Sequence, residues 1–302
     1  MLLICELLAL YLRHSAVDGT HGRQALAERQ SVFDLFNTAY GTIRVAEAKS
    51  FMLTEWIDAH EGWRSVSTRR AKATMVKAAF QWAVESERIA RNPFARVRYP
   101  EAERRPDLPD RLLDQLAAVA SKGFERVIRF LRFTGCRTGE LCRARWCDFD
   151  LERGIWTIPA HKTRKTTRKA KVIALVPEAV ALLRAMAAAR AIAVDASVAV
   201  AEGAIPARLK DRAFLNARSK PWSPAALANR LVALKRKCGI TDPATLHGIR
   251  HRFGSAAVAN GAPIKLVSAQ LGHASVITTE RYYVCLDGEI EAIRAAAALS
   301  LR

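Results

Sequence analysis

The sequence predicts a mainly α-helical chain with one small antiparallel β-sheet, divided into two domains. Three observations predict it. At 302 residues the chain exceeds one ordinary core and suits two domains, each able to bury its own interior. Apolar residues return at three- and four-residue steps over most of the length, and no proline occurs before Pro93, which is the pattern of packed helices. A single stretch, WCDFDLERGIWTIPAHKTRKTTRKAKVIALVP at 146–177, instead alternates apolar and polar residues around Gly154 and a basic tip, the signature of strands joined by turns.

The elements follow in order. The opening MLLICELLALYLR is apolar for about a dozen residues, carries Glu6 and lacks a basic leader or small-residue cleavage site, so it reads as a core helix and not a signal or a membrane span. The clearest helix is expected over 67–90, with Ser67 as its cap and Met75, Val76, Ala79, Phe80, Ala83 and Val84 as its apolar stripe. Asn92 with Pro93 should end it. Its other face carries Arg69, Arg70, Lys72 and Lys77. A solvated surface and a DNA contact both account for these charges.

The segment YPEAERRPDLP has three prolines, five charges and almost nothing apolar, the composition of an exposed connector. The domains are therefore 1–98 and 110–302, with a linker at 99–109. Beyond it come two or three helices over 110–146, the sheet, an Ala-rich helix and loose loop over 177–204, and a helix in PWSPAALANRLVALKRKCGI. At the end, Ile290, Ile293, Ala297 and Leu301 share one helical face. No repeat recurs at 20–50-residue spacing.

Lysine and arginine number 48 against 29 acids, a net charge of +19. That balance favours a polyanionic partner, with nucleic acid ahead of an anionic membrane. The six cysteines are scattered, with neither a CxxC pair nor the dense framework of secreted domains, and read as reduced intracellular thiols.

Four clusters could carry chemistry. In TGCRTGEL, Gly135 and Gly139 bracket Arg137 just before a helical run, a place where a guanidinium and free backbone N–H groups both favour an anion. An exposed turn arginine is the plain alternative. HKTRKTTRKAK holds six basic residues from Lys162 to Lys171 and no acid, at the tip of the expected hairpin, where it could enter a DNA groove or only solubilise the loop. In TLHGIRHRFG, His247 and Arg250 lie three apart on one helix face. His247 and His251 have the spacing of metal ligands but lack the glutamate of HExxH and any evident further ligand, so no metal is expected. In QLGHASVITTERYYV, Gly272 and His273 end a helix and Tyr282 and Tyr283 follow. A phenol with a pKa near 10 is a weak nucleophile at neutral pH unless nearby cations lower the barrier.

Together Arg137, Lys162, His247, Arg250, His273 and Tyr282 resemble the active-site signature of the tyrosine recombinase (phage integrase) family, in that family's order. The spacings agree: Glu140 three after Arg137, the hairpin lysine 25 after it, LGH 26 after His247, and the tyrosine of TTxxY nine after His273. Each motif alone is modest, and six in register are specific.

The resemblance implies a helical, SAM-like core-binding domain followed by a mixed α+β catalytic domain, the two-domain form without an arm-binding domain. It implies a site-specific recombinase in which Tyr282 attacks a phosphate to leave a 3'-phosphotyrosyl link. Arg137 and Arg250 would hold the phosphate oxygens, Lys162 would protonate the leaving 5'-oxygen, His247 and His273 would position groups and move protons, and Glu140 would orient its neighbours. No metal, ATP or other cofactor is implied. The partner would be double-stranded DNA carrying specific sites, gripped by both domains through Arg69, Arg70, Lys72, Lys77, Arg164, Lys165, Arg168 and Lys169. A homotetramer on DNA and a monomer off it, in the cytoplasm with the nucleoid, would follow. The terminal helix would dock on a neighbouring subunit or pack in cis.

Three residues depart from the family pattern. Arg252 stands where a small hydroxyl residue is frequent, Tyr283 adds a second candidate nucleophile, although spacing from His273 favours Tyr282, and Val284 replaces a frequent histidine. Two other activities fit the same chemistry or fold: a type IB topoisomerase, and a non-catalytic DNA-binding accessory protein, which a missing catalytic residue would have favoured.

Overall fold

The computed structural model describes residues 2–19, 21–100, 109–159, 170–192, 210–243, 245–273 and 275. The chain forms two compact units, Met1–Arg104 and Arg105–Arg302, each with its own buried apolar cluster.

The first unit is built from α1 (Ile4–Val17), α2 (Arg23–Tyr40), α3 (Ser50–Asp58) and α4 (Val66–Glu85). Helical spacing puts Ile4, Leu7, Leu8 and Tyr11 of α1 on one buried stripe, as the opening segment predicts. Short backbone pairing fixes where α1 begins: the Ile4 N–H donates to the Ile43 carbonyl and the Val45 N–H to that of Leu2, both at 3.0 Å.

In α4 the stripe Val76, Ala79, Phe80 and Ala83 is buried, but both ends differ from the expectation. Ser65, in extended conformation, is the cap and accepts from the Thr68 N–H at 3.1 Å, whereas Ser67 already lies inside the first turn. The helix stops at Glu85, before Glu87 at a φ of 57°. Asn92 then turns the chain back, donating to the Lys77 carbonyl and accepting from the Phe94 N–H. Phe94 is thereby buried edge-on against Phe80, with centroids 4.7 Å apart.

The second unit centres on α6 (Lys122–Thr134), whose face Phe124, Val127, Ile128, Phe130 and Leu131 is buried. Around it pack α5 (Asp110–Val119), α7 (Thr138–Arg143), α8 (Pro177–Ala188) and α10 (Leu246–Ala259), with α9 (Pro224–Lys237) and α11 (Ile264–Leu271) completing the layer. The antiparallel sheet runs β1 (Phe149–Asp150), β2 (Ile155–Ile158), β3 (Lys171–Ala174) in that order. Trp156 sits opposite both Phe149 and Ile173 and packs on Phe130 in the core. Mainly α with a small antiparallel sheet is thus the observed class. The Ala-rich segment is helical through Ala188; the rest of the loop expected there, the hairpin tip and the terminal helix lie outside the described residues.

Two details set up the site. Gly135 ends α6 at a φ of +60°, and a Cβ there would lie 2.6 Å from the Phe253 ring. Near the end of α11, the Gln270 side chain acts as a short extra strand on β3. It accepts from the Ala174 N–H at 3.0 Å and donates to the Ala174 carbonyl at 2.9 Å. That two-point clasp fixes the end of α11 beside the end of β3.

Candidate active site

Arg137 is the N-cap of α7, and Glu140 one turn on reaches back to accept from its backbone N–H at 2.9 Å. The same carboxylate accepts from the Arg137 guanidinium at 2.9 Å. A third donor comes from β3, since the Lys171 ammonium lies 2.9 Å from Glu140 Oε2 with both side chains buried, 3% and 1% exposed. Burial alone would raise the Glu140 pKa, but the ammonium and the Arg137 N–H groups outweigh it and hold the carboxyl below its ordinary range. Glu140 is therefore an ionised, acceptor-only bridge between an arginine and a lysine.

Arg250, from α10, is 2% exposed. It donates to the Gly135 carbonyl at 2.8 Å and to the Leu271 carbonyl at 2.7 Å. Arg137 donates to the next carbonyl along, that of Gly272, at 3.0 Å. Two arginines far apart in sequence are thus tied to consecutive peptides at the C-terminus of α11, immediately before His273. Main-chain acceptors orient both guanidinium groups, Arg137 being also paired with Glu140, and guanidinium forks of this kind suit an anion.

His273 receives the field of this arrangement. Burial, then Arg250, Arg137, Lys171 and His251, push its pKa down to about 4, so the imidazole is neutral at physiological pH. His247 and His251 meet edge-on, with ring centroids 4.6 Å apart. Among the described residues no group of three or more His, Cys, Asp or Glu side chains could hold a metal.

Of the residues singled out in the sequence, Arg137, Glu140, Arg250 and His273 are brought together, and His247 is one helical turn from Arg250. Lys162, Arg164, Lys165, Arg168, Lys169, Tyr282, Tyr283 and Val284 lie outside the described residues. Arg252, the first departure, pairs with Asp110 at 2.6 Å. Lys171 was counted with the basic tip, and the structure corrects this by burying it. The signal was available: period-two alternation puts Lys171 on the inward face with Ile173.

The basic face of α4 is occupied within its own unit. Arg69 pairs with Asp58 at 3.0 Å, Lys72 with Glu28 at 2.9 Å, and Lys77 caps the carbonyls of Ala95 and Val97. Burial, then Arg98, lowers the Lys77 pKa.

The second unit of this basic chain thus gathers two guanidinium groups and a neutral histidine around one peptide turn. Residues 107–288 match the sequence model of the phage integrase family; this is more than half the chain, which belongs to that family and is an enzyme of the tyrosine recombinase class, breaking and rejoining DNA at specific sites. The chain is similar to the tyrosine recombinase XerD of Bifidobacterium longum, 28% identical over 233 residues that cover 72% of this chain and 71% of the relative. In fold it is similar to the Tn1549 transposon integrase in complex with transposon right end DNA, with a TM-score of 0.77, 19% identity and full coverage of both chains. It is also similar to a lambda integrase tetramer bound to a Holliday junction, with a TM-score of 0.70, 16% identity, and coverage of 94% of this chain and 78% of the other.

Proposed function

We propose that this chain cuts and rejoins double-stranded DNA at specific sites through a covalent link to Tyr282. One observation carries the reading: Arg137 and Arg250 anchor on the consecutive carbonyls of Gly272 and Leu271, which supports a single phosphate site shared by two distant motifs and His273. Tyr282 follows nine residues after His273 in the sequence.

The Tyr282 oxygen attacks phosphorus, the bond to the 5'-oxygen breaks, and Lys162 gives that oxygen a proton. The phenolic proton passes to a histidine or to water. Arg137 and Arg250 stabilise the charge developing on the non-bridging oxygens, the preorganised electrostatic help that usually contributes most to such steps. His273, neutral before DNA arrives, is suited to donate a hydrogen bond to a phosphate oxygen or the phenol. Its depressed basicity makes it a weak base until a bound phosphate offsets the surrounding cations. The 5'-hydroxyl of a partner strand reverses the step, so the energy of the phosphodiester is conserved and no ATP is required.

DNA contact outside the site would come from Arg164, Lys165, Arg168 and Lys169 of the hairpin and from Arg69, Arg70 and Lys72 of the first unit. Exposed ion pairs such as Arg69 with Asp58 can exchange for phosphates at little cost. Residues 1–98 would be the core-binding domain and 110–302 the catalytic domain. Assembly as a homotetramer on DNA is supported by the tetrameric lambda integrase neighbour, and work on cellular DNA would place the protein in the cytoplasm with the nucleoid. Incubation with a nicked suicide substrate carrying its own site should trap a covalent complex. Failure to trap, or trapping that survives Tyr282→Phe while Tyr283→Phe abolishes it, would overturn the assignment of Tyr282. Relaxation of any plasmid regardless of sequence would favour a topoisomerase.

A further inference from the structure

Glu140 is shared by two cations, and only Arg137 belongs to the site described above. The other, Lys171, is engaged within the protein: its side chain is 3% exposed, and its ammonium lies 2.9 Å from Glu140 Oε2. Its stem is clamped as well, because a Cβ on Gly272 would come within 2.6 Å of Lys171 Cδ and Cε. A buried lysine is costly to keep charged, and burial does lower its pKa, opposed by Glu140. An apolar side chain on the inward face of β3 would fill the space without that cost, so the charge asks for a reason.

We propose that Lys171 is a positioning residue for phosphate cleavage: it holds the Glu140 carboxylate ionised and fixed, and Glu140 in turn fixes the Arg137 guanidinium. The chain of contacts is continuous. Lys171 donates to Oε2, which also accepts from the Arg137 backbone N–H, while Oε1 accepts from the guanidinium. With both oxygens engaged from two sides, the carboxylate cannot rotate, and the arginine it bonds keeps one plane. The lysine stem also walls the peptide turn at Gly272, whose carbonyl takes the other Arg137 hydrogen bond. Lys171 therefore braces both anchors of a single guanidinium. This inference rests on the recombinase reading.

The test is single-turnover cleavage of the nicked suicide substrate by the full chain, with DNA affinity measured separately, for Lys171→Met, Glu140→Gln and the double variant. Lys171→Met should lower the cleavage rate about 10²-fold, the usual consequence of about 1 Å of misplacement in a catalytic group. DNA affinity should stay within about twofold, since the lysine's ammonium is engaged by Glu140 inside the protein, and a merely misfolded variant would lose both. In the Glu140→Gln background, Lys171→Met should add less than about threefold, because the lysine acts through the carboxylate. Parental cleavage by a folded Lys171→Met, or fully additive effects in the double variant, would overturn the inference. Should Lys171→Met alone not fold, the double variant leaves neither charge unpaired and decides by comparison with Glu140→Gln: equal rates support the inference and a further large drop refutes it. No trapping by the unsubstituted chain would instead overturn the recombinase reading itself, and the inference with it.

Discussion

Replacing Gly272 by alanine loads two separate strains onto the turn that precedes His273. The first is local, since Gly272 has a φ of 68° and ψ of 49°, a left-handed conformation that costs an L-residue about 1–2 kcal/mol. The second is steric, because the new methyl would sit 2.6 Å from Lys171 Cδ and Cε. A lysine stem can usually swing aside, but this one is tethered at its far end to buried Glu140. Moving it means loosening an ion pair whose rupture typically costs about 3–5 kcal/mol. A combined loss of about 3 kcal/mol or more is expected, a fall in melting temperature of roughly 6–12 °C for a unit of this size. Thermal melting of Gly272→Ala and Gly272→Asn separates the two strains, because asparagine tolerates the left-handed region but carries the same Cβ. Asparagine should recover about 1 kcal/mol and no more. An asparagine variant that melts within about 2 °C of the parent would refute the clash with Lys171. Cleavage should fall further than stability implies, since Gly272 also supplies an Arg137 acceptor.

The His273 ring should titrate near 4 in the free protein, with its NMR shifts constant from pH 8 to about 5.5, and its midpoint should rise when a phosphate-bearing DNA is bound. A free-protein midpoint near 6.5 would mean the cations do not face it. The sign follows: with the folded pKa below the unfolded value, His273 costs stability as pH falls from about 6.5 towards 4, and is without effect above that window. Arg250→Lys keeps the charge but cannot satisfy the Gly135 and Leu271 carbonyls with one fork; stability should drop by about 1–3 kcal/mol and cleavage by at least about 10²-fold, and parental melting would contradict the role of those bonds. Burial pushes the Cys136 thiol up to about 12 and that of Cys142 up to about 11, so brief alkylation of the folded protein at pH 8 should leave both unmodified by mass spectrometry while exposed Cys147 is modified ahead of them.

How much of this was legible in the sequence depended on the range of the signal. Helix periodicity and the strand alternation around Gly154 act over a few residues, and among the described residues they yielded elements that differ at ends such as Ser65 for Ser67, where capping depends on one residue's backbone conformation. The roles of Arg137, Glu140, Arg250 and His273 as one cluster were legible only through a resemblance that spans motifs. The contacts that join them, such as Arg137 to Gly272 and Gln270 to Ala174, pair residues whose proximity no local pattern encodes. The basic face of α4 looked the same from the sequence whether it met water, DNA or Asp58 and Glu28. Lys171 was hidden for a different reason: a run of basic residues conceals the one member whose strand register turns it inward.

That register has a physical consequence for the site as a whole. Arg137 and Lys171 converge there on one carboxylate, Glu140, Arg250 is held beside them by carbonyls, and the three cations with burial keep His273 neutral. A second carboxylate would stabilise the free protein but would compete with the phosphodiester for the same guanidinium groups. Carbonyl dipoles solve the conflict for the arginines, because they orient a cation while leaving its charge in place. A lysine cannot be oriented in that way, as its ammonium is a compact point charge without a plane. Placing the carboxylate between Lys171 and Arg137 uses the lysine to absorb part of the negative charge that Glu140 would otherwise direct at Arg137. The arginine is held by a strong acceptor and still presents a net positive face, a compromise that neither a neutral residue at 171 nor a lone Glu140 would achieve.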